Sequence, residues 1–163
     1  MTSNESAIIR SLKHPWKFRM YLLSRLPTAF FSGLRIRDLD ETLCRVSVPY
    51  KWFTKNPFRS TYFACLGMAA EMSTGALCLV HLYKRVRPVS MLVVKVEAEY
   101  FKKATGKTFF TCEEGLMIKE TIERAIEKGE ARTFRARSIG KNAEGLIVAD
   151  FFITWSFKVR SER

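Results

Sequence analysis

The stretch from Thr61 to Leu82 constrains this chain more than any other, because it reads as one long helix that is apolar nearly all the way round. Such a helix has to be covered on several sides. It is long enough to be weighed as a membrane span. Glu71 sits in its middle, however, Gly, Ala, Ser and Thr recur along it, and strongly patterned strand sequence follows, so a helix buried inside a folded domain is expected. Glu71 is the only Asp, Glu, Lys or Arg in that stretch, and a carboxylate in apolar surroundings is costly unless paired, hydrogen-bonded or protonated.

The segments on either side supply the cover. Residues 1–12 read as a loose start. His14-Pro15 opens an amphipathic helix over Trp16 to Leu26, with Phe18, Tyr21, Leu22 and Leu26 on one face, and Pro27 ends it. That helix is expected to lie across an opening or edge of the main fold, with an interfacial membrane helix as the alternative. Leu34 to Asp38 and Thr42 to Val48 alternate as a hairpin pair. An aromatic, proline-bearing loop, Pro49 to Pro57, then leads into the long helix.

After the basic break Lys84 to Pro88 come four extended runs: Val89 to Lys102, Lys107 to Glu113, Ala131 to Ile139 and Leu146 to Val159. Met117 to Lys128 is a charged amphipathic helix with Gly129 at its end, and Lys141 to Gly145 is a hairpin tip. Strands that follow one another without alternating helices argue for an antiparallel sheet in an α+β domain. Neither Gly-rich phosphate loop motif is present.

With 163 residues, one domain is expected. The net charge of +12 bears on partners rather than fold. A solvated basic surface, a phosphate-bearing or acidic protein ligand, an anionic membrane surface and nucleic acid all fit it, and the basic residues form no dense run of the kind found in nucleic-acid tails. Cys44, Cys65, Cys78 and Cys112 are isolated, which fits buried free thiols in a reducing compartment. The N-terminus shows no signal-peptide core, and a cytoplasmic location is expected. With only His14 and His81, neither a histidine-based triad nor a zinc site has supporting spacing, and no metal is expected.

Two positions carry candidate chemistry. Glu71 shares its helix face with Ala64, Gly67, Met68, Thr74 and Gly75, small residues that leave room for a backbone, a partner helix or a slender ligand. It serves either as a structural carboxylate or as a general base. Asn56, fifteen positions earlier, either builds an Asx-turn or places a reacting group. Ser60 and Thr61 are candidate helix caps, and free amides of the first turn with the positive end of the helix dipole suit an anion or carbonyl oxygen.

The run Asn56-Pro57-Phe58-Arg59-Ser60-Thr61-Tyr62-Phe63-Ala64 followed by Ala69-Ala70-Glu71 resembles the signature of hotdog-fold thioesterases, in particular an uncharacterised thioesterase-like branch. Gly145 to Ala149 and Thr154 to Lys158 are similar to that family's last strand. The resemblance implies a hotdog fold, a long central helix wrapped by a curved antiparallel sheet, with residues 33–159 as its core and residues 1–32 as an extension carrying an extra helix. It implies a homodimer or tetramer with active sites at the subunit interface, and acyl-CoA or acyl-carrier-protein thioesters as substrates. Coenzyme A enters only as part of the substrate, and no other cofactor is implied.

On this resemblance Glu71 is the catalytic carboxylate, Asn56 helps place water or thioester, and the backbone N–H groups of Phe63 and Ala64 polarise the carbonyl. Ser60, Tyr62 and Ser90 would contact substrate, with Ser90 supplied by the other subunit. Tyr62-Phe63-Ala64 replaces the His-Gly-Gly of many relatives, which narrows access to the amides. The alternative is a non-catalytic acyl or acyl-CoA binding protein of the same fold; a nucleic-acid-binding domain is a third reading. Phe30, Phe31, Tyr50, Trp52, Phe53 and Phe58 could line an acyl tunnel, with core packing expected for most of them.

Overall fold

The computed structural model describes residues 3–160. Helices α1 (Ser3–Lys13), α2 (Pro15–Arg25) and α3 (Pro27–Ser32) precede the hairpin β1 (Arg35–Leu39) and β2 (Cys44–Val48). A short 3₁₀ turn, Trp52–Thr54, leads to the long helix α4 (Phe63–Leu82). Then follow β3 (Val89–Tyr100), β4 (Thr108–Cys112), α5 (Gly115–Lys128), β5 (Arg132–Lys141) and β6 (Ile147–Val159).

The six strands form one sheet in the order β1-β2-β4-β5-β6-β3, with every neighbouring pair antiparallel. Register shifts interrupt β1 at Ile36/Asp38, β3 at Val93/Lys95 and β5 at Gly140/Lys141. Such irregularities bend a strand and raise its twist, so the sheet curves around α4. Cross-strand packing is close where Phe110 lies over Gly140: a Cβ there would stand 2.5 Å from the Phe110 ring. Glycine at that position lets the aromatic ring fill the concave face.

Most of α4 is buried, as an all-round apolar helix requires. By length and composition α4 could cross a membrane, yet the sheet and flanking helices cover it. Two polar contacts fix its rotation against the sheet. Trp155 Nε1 donates to Thr74 Oγ1 at 2.9 Å, and the Ser73 and Ser138 hydroxyls lie 2.7 Å apart. Helix α5 presents Ile118, Ile122 and Ala125 to the core and ends at Gly129 in the left-handed conformation, φ 66°.

Three expectations change. The segment expected to be a loose start is helix α1 from Ser3 onward, with Ile9 and Leu12 in the core; residues 1 and 2 lie outside the described range. Its docking uses partners far along the chain, including the backbone carbonyl of Lys84, which accepts from Asn4 Nδ2 at 3.1 Å. Pro27 ends α2 but also opens α3 at its first position, where the missing N–H costs nothing. Finally, Phe31, Trp52, Phe53 and Phe58 are exposed rather than core residues, while Phe30 and Tyr50 are half-buried.

Candidate active site

The loop ahead of α4 is built by Asn56. Its Oδ1 accepts from the amides of Phe58 (3.0 Å) and Ser60 (3.2 Å), and the Ser60 hydroxyl lies within hydrogen-bonding distance of both ends of the amide group. The Asn56 amide donates to the Ser60 carbonyl at 2.8 Å, and Arg59 adopts φ 57° to close the turn. The Asx-turn expected for Asn-Pro is therefore present and occupies the Asn56 side chain.

Two further bonds aim the helix. Thr61 N–H donates to the Ala104 carbonyl and Tyr62 N–H to the Thr54 carbonyl, at 2.8 and 2.7 Å. Among the described residues no side chain caps α4. Among the described residues, the Phe63 and Ala64 amides have no acceptor, whereas those of Cys65 and Leu66 turn back to the Tyr62 carbonyl. Open first-turn N–H groups at the positive end of a 20-residue helix make an oxyanion-type site. They face a cavity of about 620 Å³ whose walls include Asn56, Ser60, Tyr62, Phe63 and the exposed pair Lys102 and Lys103. Tyr62 and Phe63 pack edge to face at its mouth, ring centroids 4.8 Å apart.

Glu71 lines a different cavity, of about 290 Å³, between α4, the N-terminal helices and β3, with Phe18, Tyr21, Leu22, Met72 and Trp155 among its walls. The carboxylate lies above Gly75. A Cβ at that position would stand 3.2 Å from Glu71 Oε1 and 3.3 Å from Trp155 Cζ2, so the missing side chain provides the space for both groups. No donor among the described residues reaches the Glu71 carboxylate, and burial in these apolar walls pushes its pKa above the ordinary value.

The structure thus gathers Asn56, Ser60, Tyr62 and Phe63 in one cavity, with the Ala64 amide at its helix end, and puts Glu71 in another. Phe63 and Glu71 are eight residues apart on α4, about 12 Å along the axis at the α-helical rise. Ser90 lies near the start of β3, its hydroxyl donating to the Lys158 carbonyl at 3.0 Å, at the end of the strand remote from Tyr100 and the helix-start cavity. Lys102 and Lys103 were missed in the sequence reading. Their signal was a basic pair directly after a long strand, but only the fold brings that pair beside α4.

All four cysteines are buried free thiols. Burial raises the pKa of each, that of Cys112 to about 12, which leaves them poor nucleophiles at neutral pH. Among the described residues no cluster of three or more His, Cys, Asp or Glu is placed to hold a metal ion.

Residues 16–156 match the family model described as a domain of unknown function, DUF4442. No curated protein matches the sequence. Several solved structures are similar. A protein of unknown function from Pseudomonas aeruginosa, described as a probable thioesterase, aligns with TM-score 0.76 and 19% identity over 92% of this chain and 99% of its own. A thioesterase from Haemophilus influenzae aligns with TM-score 0.63 and 13% identity over 88% and 91% of the two chains. The PaaI protein of the E. coli phenylacetic acid degradation operon aligns with TM-score 0.63 and 14% identity over 93% and 98%. At these identities the likeness is one of fold, and the fold is the hotdog.

Proposed function

The chain belongs to the family described as a domain of unknown function, DUF4442, and from that premise we propose that it is an acyl thioesterase acting on acyl-CoA or acyl-carrier-protein thioesters. The observation that carries this reading is the desolvated, unpartnered Glu71 carboxylate on the same helix whose first-turn amides are open. A carboxylate with a raised pKa is a better base toward water than an ordinary one, and fixed N–H donors stabilise the negative charge that builds on the thioester oxygen. Water loses its proton to Glu71 and adds to the carbonyl carbon, the oxyanion collapses, the C–S bond breaks, and the thiolate leaves.

The roughly 12 Å between the Phe63 amide and Glu71 is too long for one carbonyl to meet both within a protomer. A site at a subunit interface resolves this, with the amides from one copy and Glu71 from the other. β3 is one of the two edge strands of the sheet, twelve residues long against five for β1, with Leu92, Val94 and Val96 exposed along it. An uncovered edge of that length is a ready pairing surface. Antiparallel pairing of β3 with its copy would carry the partner's Ser90 toward Tyr100 and the helix-start cavity, the place proposed for a supporting hydroxyl. Asn56 then acts by shaping the loop that aims the amides, with Ser60 and Tyr62 as walls, and Lys102 and Lys103 meet the phosphates of coenzyme A or the acidic face of a carrier protein. We place the enzyme in the cytoplasm, where four free thiols stay reduced. Neither nucleic acid nor any cofactor beyond the substrate's own coenzyme A enters this reading.

A second reading, a non-catalytic acyl or acyl-CoA binding protein, draws on the Tyr62-Phe63 pair at the mouth of the amide cavity, where bulky rings restrict approach. The test is hydrolysis of short to long acyl-CoA thioesters by the wild type and Glu71→Gln, following thioester loss directly. Turnover that collapses in a folded Glu71→Gln supports the enzyme. Binding without turnover in either protein supports the second reading, and equal turnover in both removes Glu71 from the mechanism.

A further inference from the structure

Helix α2 has two apolar faces, and only one of them is used by the fold. Phe18 and Leu22 point into the core. On the opposite side Trp16, Met20 and Leu23, spaced i, i+4 and i+7, are 76%, 57% and 41% exposed and form a single stripe. Lys17 and Arg19 border that stripe on its two sides. The stripe continues into a groove of about 260 Å³ in which Trp16 meets four cations, Lys13, Arg19, Arg35 and Arg37, and no acidic side chain.

The charge distribution favours one kind of occupant. Residues 6–37, which include α2 and all four cations of the groove, carry seven Lys and Arg and not one Asp or Glu, in a chain of net charge +12. A second copy meeting the stripe about a twofold axis would bring Lys17 and Arg19 against their own likes, which is repulsive. A bilayer bearing anionic headgroups offers an apolar interior for the stripe and phosphates for the cations, and an exposed Trp with basic neighbours is the usual composition of an interfacial helix. At 11 residues, about 16 Å, α2 is far too short to span a membrane and long enough to lie in its surface.

We propose that the N-terminal helices form a docking surface for anionic phospholipid bilayers, with Trp16, Met20 and Leu23 entering the interface and Lys13, Lys17 and Arg19 meeting lipid phosphates. The inner face of the same helix, through Phe18, Tyr21 and Leu22, walls the Glu71 cavity, so a docked molecule would hold that cavity next to the lipid surface. The binding stands independently of the thioesterase reading.

The test is flotation of the full chain with phosphatidylcholine vesicles and with vesicles that also contain phosphatidylglycerol. Wild type is expected to float with the anionic vesicles and to be released by salt, with Trp16 fluorescence shifting to the blue in a Trp52→Phe background. Replacing Trp16, Met20 and Leu23 together by Ser lowers partition by about tenfold or more. Since those side chains are exposed, the melting curve stays close to wild type. Lys13→Glu with Lys17→Glu is expected to weaken binding by about fivefold or more per charge. Equal partition onto neutral vesicles, undiminished binding of either variant, or absence of vesicle binding alongside capture of an acidic carrier protein would overturn the proposal.

Discussion

Glu5 and His81, seventy-six positions apart, meet in the interior with Glu5 Oε1 3.2 Å from His81 Nδ1. The other ring nitrogen lies 3.0 Å from the Glu41 carbonyl, so both nitrogens face oxygen acceptors, and Lys119 Nζ stands 3.6 Å from the same Glu5 oxygen. This cluster ties α1 to α4 and α5, which is why a segment that looks loose in the sequence is helical. A buried hydrogen bond to a charged group contributes about 1.5 to 3 kcal/mol. Glu5→Gln is therefore expected to lower the melting temperature and to raise amide exchange in α1 before the sheet, as measured by hydrogen exchange.

Glu71→Gln should change activity and stability in opposite directions. Loss of a general base costs about a hundredfold or more in kcat. Burial raises the Glu71 pKa, so between the unfolded and folded values the native protein holds more protons than the unfolded chain, and stability falls as pH rises across that window. The neutral amide removes this loss: the variant is expected to be the more stable at neutral pH and equal to wild type in acid. For wild type, kcat should rise with pH through a value above the ordinary carboxylate range. Denaturation and rate profiles against pH check both statements.

Gly75→Ala isolates the space the carboxylate needs. Ala is favoured over Gly in a helix by about 1 kcal/mol, and crowding of a tight site costs about the same or more. With the new Cβ 3.2 Å from Glu71 Oε1, the melting temperature should move little while activity falls clearly, because the carboxylate must shift. A fall in stability with unchanged specific activity would contradict this.

Asn56→Asp keeps the oxygen that accepts from the Phe58 and Ser60 amides, and Asn56→Ala removes it. If Asn56 acts through the loop, Asp should retain most activity and Ala should lose it, with about 1 kcal/mol of stability lost as for a missing cap. If Asn56 instead donates to the substrate, both variants lose activity alike.

Lys102 and Lys103 lie on the rim of the helix-start cavity. Replacing both by Ala is expected to raise KM for acyl-CoA severalfold with little change in kcat, and to flatten the dependence of KM on salt, since exposed charges act at range and are screened.

Much of the architecture was legible in the sequence because it depends on local periodicity. The all-round apolar stretch of Phe63 to Leu82, the alternation in β2 and β6, the helical spacing of Ile118, Ile122 and Ala125 and the Asn-Pro turn each report a burial pattern within a few residues. The candidate roles of Asn56 and Glu71 came instead from the resemblance of their motif to that of hotdog-fold thioesterases.

What tertiary structure alone decided concerns partners distant along the chain. The strand order β1-β2-β4-β5-β6-β3 puts β3 at an edge of the sheet, the Glu5–His81 contact docks α1 against α4, and Lys102 arrives beside Phe63. The rise of α4 sets Glu71 about 12 Å from the helix-start amides, so one motif serves two cavities. The aromatics Phe31, Trp52, Phe53 and Phe58 look like core residues by composition and prove to be surface residues, because the concave face is already filled by Phe110, Phe151 and Trp155 from the sheet. Periodicity states that a side chain needs cover; only the closed packing of the whole chain determines whether cover is left for it.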